Sequence, residues 1–123
     1  MFTPEQTDFA RAIEQFCAEN CGTAEERSEL TDGGTLSNSP QLLQQLADLG
    51  WLGVSLPTEY GGGGAGMVEE CIFLEETARG LAPIHAYGTG LTGGWTKQWG
   101  DWAHAWVCAR TLTYDGGRWI VTD

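Results

Sequence analysis

Basic side chains are scarce. Six Lys and Arg residues stand against seventeen Asp and Glu, for a formal net charge of -11. Nucleic-acid binding needs a basic footprint, so the shortage argues against a nucleic-acid partner. It also weakens any grip of this chain alone on a polyanion such as a phosphorylated cofactor. Histidine is rarer still, with only His85 and His104. No window approaches the roughly 18 consecutive apolar residues of a membrane span, so none is expected. The N-terminus MFTPEQTDFARA has no basic region ahead of an apolar core, so no signal peptide is read there, and a cytoplasmic location is expected. The four cysteines, Cys17, Cys21, Cys71 and Cys108, form no C-x-x-C pair and no second pair at metal-ligand spacing. They read as reduced, partly buried thiols, and no metal site is expected.

Glycine, by contrast, is abundant, with 18 in 123 residues. The length suits one small domain. Helical signals dominate its first three quarters. Thr3 is a plausible N-cap, Pro4 fits the first helical position and Gln6 completes a capping box, which predicts a helix over 3–20 with Phe9, Ile13, Phe16 and Cys17 as its apolar stripe. Residues 23–38 are polar and read as a loop with a short helical turn around 24–30. Ser39 and Pro40 open a second helix, with Leu42, Leu43, Leu46 and Leu49 on its buried face and Gly50 at its end. A third helix is predicted over 65–79, burying Met67, Cys71, Leu74 and Ala78. Gly80 is its expected stop, and Pro83 prevents a restart. The fold class read from this is mainly α, a small antiparallel helical bundle.

The remainder has a different character. GGWTKQWGDWAHAWVCAR places Trp95, Trp99, Trp102 and Trp106 at spacings of four, three and four, which is one helical face. RTLTYDGGRWIVTD then alternates around Asp115-Gly116-Gly117, predicting a short β-hairpin at the C-terminus.

The run Gly61 to Gly66 invites a phosphate-loop reading. It lacks the Lys and hydroxyl residue of a Walker loop. Gly61, Gly63 and Gly66 satisfy G-x-G-x-x-G, but no parallel strand follows the helix, and Glu69 and Glu70 place acid in its first turn. The competing reading is a tight turn that needs positive φ and close backbone approach.

LADLGWLGVSLPTEYGGGGAG, followed by LEETARG and AP, resembles the N-terminal helical domain of acyl-CoA dehydrogenases. The residues that carry the resemblance are Gly50-Trp51, Pro57, Tyr60-Gly61-Gly62, Gly64, Glu75-Glu76, Ala78-Arg79 and Pro83. It implies a flavoprotein oxidoreductase of fatty acid metabolism, taking an acyl-CoA substrate to its 2,3-enoyl form with FAD as hydride acceptor. It also implies homo- or hetero-oligomers of acyl-CoA dehydrogenase subunits. The segment lining the acyl pocket falls at about residues 84–89, where His85, Tyr87 and Thr89 are the candidates. Packing between domains explains His85 and Tyr87 equally well.

Departures from the family pattern begin after Gly93. The expected organisation is a helical domain over 1–93, a Trp-rich segment over 94–109 and a fragment over 110–123 resembling the start of the middle β-domain. The Trp-rich segment reads either as an amphipathic helix or as the product of a disturbed reading frame. No catalytic residue is expected in this chain, since the family's catalytic glutamate belongs to a C-terminal domain, and most of the FAD site lies in text absent here. The reading is of a truncated or internally deleted chain, inactive in isolation. The alternative is a non-catalytic helical interaction module that binds a partner or a homologous subunit.

Overall fold

The computed structural model describes residues 1–84, 111–116 and 118–122. Helix α1 spans Pro4–Cys21, α2 Ala24–Leu30, α3 Pro40–Asp48 and α4 Met67–Arg79, with one 3-10 turn at Thr58–Tyr60. Strands β1 (Thr111–Asp115) and β2 (Arg118–Thr122) pair antiparallel, with Leu112 opposite Val121 and Tyr114 opposite Trp119. The described residues are mainly helical.

Helix α1 starts as its sequence dictates. The Thr3 hydroxyl accepts from the Gln6 amide at 3.1 Å, and the Gln6 side chain accepts from the Thr3 amide at 3.0 Å. Two orphan amide donors are thereby satisfied. At the far end Arg27 reaches back from α2 and donates to the Cys21 carbonyl at 2.9 Å. A cation at a helix C-terminus also complements the dipole, worth about 0.3–1 kcal/mol. The polar stretch after α1 forms a helix of seven residues, α2, because Thr23 caps it by accepting from the Glu26 amide at 3.1 Å. Helix α3 is capped the same way, with the Ser39 hydroxyl accepting from the Leu42 amide at 3.1 Å and Pro40 in the first turn.

Helix α1 packs against α4 and α2, and α2 touches α3. The core between them is Ile13, Cys17, Cys21, Leu42, Leu46, Leu52, Ile72 and Phe73. Phe9 and Phe16 clasp Trp51 edge-on, with ring centroids 5.8 and 5.6 Å away. Leu49, expected on the buried face of α3, is exposed. The helix ends at Asp48, and Gly50, at φ +79°, turns the chain before the stripe can extend by another residue.

The buried face of α4 differs from the one its sequence suggests. Ile72, Phe73, Glu70 and Thr77 face inward, while Met67, Val68, Cys71 and Ala78 are exposed. Apolar residues lie on both sides of this helix, so periodicity alone favours neither. Polar satisfaction permits the face that is buried. The Thr77 hydroxyl donates to the Phe73 carbonyl at 2.6 Å, and buried Glu70 accepts from the Ser55 hydroxyl at 2.9 Å. With these bonds made, burying two polar side chains carries no unpaired-group penalty.

Urea unfolding checks this face. Phe73→Ala should cost about 3–5 kcal/mol, and Met67→Ala no more than about 0.5 kcal/mol. Equal losses at the two positions would restore the face built on Met67, Cys71, Leu74 and Ala78.

Candidate functional site

The glycine-rich loop joins the 3-10 turn to α4, and the destination of its amides decides what it can bind. The Gly61 amide donates to the Thr58 carbonyl, Gly62 to Pro57, Gly63 to Gly53, Gly64 to Leu56 and Ala65 to Val54, all between 2.9 and 3.1 Å. The Gly66 amide donates to the Glu69 carboxylate at 3.0 Å. Six consecutive donors are thus consumed inside the protein. A phosphate cradle presents such donors to its ligand. This loop presents none, so the phosphate-loop reading fails on geometry.

Glycine is needed here for two separate reasons. Gly61 and Gly64 take left-handed φ values of +86° and +67°. Gly62 and Gly63 need room, because a Cβ would lie 2.2 Å from the Leu56 carbonyl oxygen and 2.8 Å from that of Val54. The loop is zipped backbone to backbone onto residues 53–57.

Glu69 ties this loop to α1. Its carboxylate accepts from the Gln6 side chain at 3.0 Å and from the Gly66 amide. The Gln6 hydrogen bond, followed by the backbone amides, holds this carboxyl below the ordinary glutamate range. Gly66 has no side chain with which to cap, so the Glu69 carboxylate alone serves the start of α4.

The chain leaves α4 through Gly80–Ile84. This stretch is held on one side by α3, where the Ser39 amide donates to the Pro83 carbonyl at 2.7 Å. Ala82 and Ile84 pack against the core. The candidate pocket residues His85, Tyr87 and Thr89 follow directly and lie outside the described residues, as does the Trp-rich segment. Glu75 and Glu76 are both ion-paired to Arg79, at 2.7 and 3.3 Å, Glu75 in the open and Glu76 mostly buried. A general base must sit against the bond it attacks, and these two are engaged elsewhere. Glu69 and Glu70 both stand in the first turn of α4, as the sequence implies, and Glu70 is buried there beneath Ser55. Burial pushes the Cys17 thiol up to about 12, with Cys21 beside it adding to the shift, and Cys21 is raised chiefly by burial as well. Neither behaves as a nucleophile. A cleft of about 330 Å³ opens between α1 and the end of α4, with Glu14 and Glu76 set against Arg27 and Arg79. Its mixed charge selects no ligand.

The family model for the acyl-CoA dehydrogenase N-terminal domain matches residues 3–104. The chain belongs to the acyl-CoA dehydrogenase family. The match runs past residue 93 and includes Trp95, Trp99 and Trp102. The mitochondrial isovaleryl-CoA dehydrogenase of Bos taurus is 31% identical over 114 residues, which are 93% of this chain and 23% of that protein. The acyl-CoA dehydrogenase FadE12 of Mycobacterium tuberculosis is 51% identical over 41 residues, 33% of this chain and 11% of that one. A variant of the Tcur3481-Tcur3483 steroid ACAD superposes with a TM-score of 0.70 at 22% identity, covering 97% of this chain and 39% of that chain. The ChsE4-ChsE5 complex from Mycobacterium tuberculosis superposes at 0.60 and 23% identity, covering 100% and 38%. At such identities these two likenesses speak for the fold. The chain spans about a quarter of the length of the curated relatives it matches.

The family implies FAD, yet the described residues do not fit it. The loop amides are internally bonded, and no other glycine-rich turn among the described residues opens a helix. No described helix is long and apolar enough to cross a membrane.

Two measurements test this region. Gly62→Ala should cost about 1–3 kcal/mol through overpacking against the Leu56 carbonyl, with no change in nucleotide affinity because the loop amides are already bonded inside the protein. Saturable ATP or NAD binding by the parent chain that Gly62→Ala abolishes would reinstate the phosphate loop. The second concerns Glu69. A carboxyl with a lowered folded-state pKa adds stability that is present above its unfolded value and is lost as pH falls through the folded one. The stability gap between parent and Glu69→Gln should therefore be open at neutral pH and close below the ordinary glutamate range. A gap that ignores pH would show that the charge on Glu69 is irrelevant.

Proposed function

We propose that this chain supplies the N-terminal helical domain of a flavin-dependent acyl-CoA dehydrogenase. The reaction of such an enzyme is the α,β-dehydrogenation of an acyl-CoA thioester. The family match across residues 3–104 carries this reading. Within it, residues 1–93 form the helical domain that walls the acyl pocket. His85, Tyr87 and Thr89 line that pocket, residues 94–109 are a Trp-rich connection, and residues 110–123, with their strand pair, begin a β-domain. FAD and the catalytic glutamate are held outside the residues described here, so the isolated 123-residue chain binds FAD weakly or not at all and does not turn over substrate. Three features support that inactivity. The glycine loop has no free amides, Glu75 and Glu76 are committed to Arg79, and Glu70 is bonded beneath Ser55. Of the relatives named above, one is named for isovaleryl-CoA and one for steroid, and the pocket of this chain is assigned to neither. A cytoplasmic location accompanies this reading.

A second reading has one observation in its favour. Met67 and Val68, with Cys71, make an exposed apolar strip along α4. A non-catalytic module that docks on acyl-CoA dehydrogenase subunits, in homo- or hetero-oligomers, would use such a strip.

Absorbance and turnover separate the two. Purified chain mixed with FAD and desalted should carry no stoichiometric flavin and show no dye-linked oxidation of isovaleryl-CoA or palmitoyl-CoA. At millimolar concentration those thioesters should still shift the amide resonances of residues 85–89. Stoichiometric flavin with turnover would disprove the inactivity of the isolated chain. Resonances that ignore the thioesters, combined with tight association with a full-length acyl-CoA dehydrogenase by light scattering, would favour the docking module.

A further inference from the structure

Two helices of this domain end with the same pair of hydrogen bonds but place different residues at the turn. At the end of α3, the Gly50 amide donates to the Ala47 carbonyl at 2.9 Å and the Trp51 amide to Leu46 at 3.1 Å. At the end of α4, the Leu81 amide donates to Ala78 at 3.1 Å and the Ala82 amide to Thr77 at 3.0 Å. This is the Schellman arrangement, in which the residue just past the cap is left-handed and is usually glycine. In α3 that residue is Gly50, at φ +79°; in α4 it is Leu81, at φ +56°. A bulky L-residue disfavours that conformation.

A glycine stands one place too early to relieve it. Gly80 has φ −79°, so it is not the left-handed residue of the stop. It is needed for room, since a Cβ there would lie 2.5 Å from the Cys17 Cβ and 2.8 Å from its Sγ. Burial does not explain Leu81 either, because its side chain is 60% exposed. A backbone outlier persists only where its surroundings over-determine it, and here they do. The Cys21 thiol contacts the Gly80 carbonyl at 3.8 Å on one side. On the other, the amide of fully buried Ser39 holds the Pro83 carbonyl at 2.7 Å. Ala82 and Ile84 are packed on the core, and the Ile84 amide closes back on the Ala82 carbonyl at 2.8 Å. Helices α1, α3 and α4 all grip the five residues 80–84.

We propose that Leu81 is a positioning residue. Its left-handed backbone, latched by Ser39 onto Pro83, sets the direction in which the chain leaves the helices towards residues 85–89. The functional half of this rests on the assignment of those residues to the acyl pocket. The backbone of Leu81 matters and its side chain does not. Glycine and asparagine, which accept left-handed φ, are therefore the conservative replacements, and valine is not.

Amide exchange and chemical shifts of the 123-residue chain test this. Leu81→Val should lower protection of the Ser39 amide tenfold or more and move the amide resonances of His85, Tyr87 and Thr89. Ile72 and Phe73 should keep parental protection. Leu81→Gly and Leu81→Asn should leave all of these as in the parent. Unchanged Ser39 protection in Leu81→Val would overturn the proposal. So would resonances of 85–89 that stay in place when the latch opens, or a Leu81→Gly variant that behaves like Leu81→Val. Should Leu81→Val fail to fold, Leu81→Thr carries the same comparison, since it is β-branched like valine and its hydroxyl suits an exposed position. The pocket assignment is scored separately in the parent chain. Residues 85–89 that ignore isovaleryl-CoA would remove that assignment, whereas only the Leu81 variants report on the latch.

Discussion

The contact between α1 and the end of α4 is the constraint from which the rest of the domain follows. At Gly80 the two helices approach so closely that a single methyl would collide with Cys17. The approach buries Cys17 and Cys21 and draws the Gly80 carbonyl onto the Cys21 thiol. It also fixes which side of α4 turns inward. Once Gly80 is seated on α1, Thr77, Phe73 and Glu70 lie beneath it at helical spacing, and Met67 and Cys71 are carried outward. The handedness problem then passes to Leu81, because the glycine that would have solved it is already occupied with the contact.

The parts of the fold legible from sequence are those with local causes. Thr3 with Gln6, and Ser39 with Pro40, mark helix starts because a cap and its partner amide lie within four residues, and both caps form. The α4 face was not legible, since its choice depends on partners distant in sequence. Ser55 satisfies Glu70 from fifteen residues away, and Cys17 meets Gly80 from a helix far away in sequence. A buried glutamate beside an exposed-looking one carries no local signal at all. Glu69 and Glu70 are adjacent and acidic, yet one serves the helix start and the other lies in the core. Gly80 was legible as a stop but not in its role, because periodicity cannot tell room from handedness. The three pocket candidates were proposed from family resemblance and lie outside the described residues, so the geometry reaches only to the latch that precedes them.

The division between family identity and chemistry follows from the same loop. The sequence from Trp51 to Gly66 is distinctive because its backbone is folded tightly on itself, and tight backbone packing constrains residue identity at many positions together. Two glycines are fixed by φ, two by contact, and Glu69 by the start of α4. Each of those requirements is internal, so none leaves a group free for a substrate or cofactor.

Glycine spacing is therefore a poor guide to phosphate binding, and the amide ledger is a good one. Gly61, Gly63 and Gly66 match a dinucleotide fingerprint in number and order, yet each donates within the protein. In a real cradle the glycines let the backbone approach the ligand. Here the acceptors are Thr58, Gly53 and the Glu69 carboxylate of the same chain, and the resulting hydrogen bonds remove the donors a phosphate would require. The two structures share a sequence pattern because both need bare backbone near an acceptor. They differ in where that acceptor comes from, which no spacing rule encodes and which the hydrogen-bond partners settle directly.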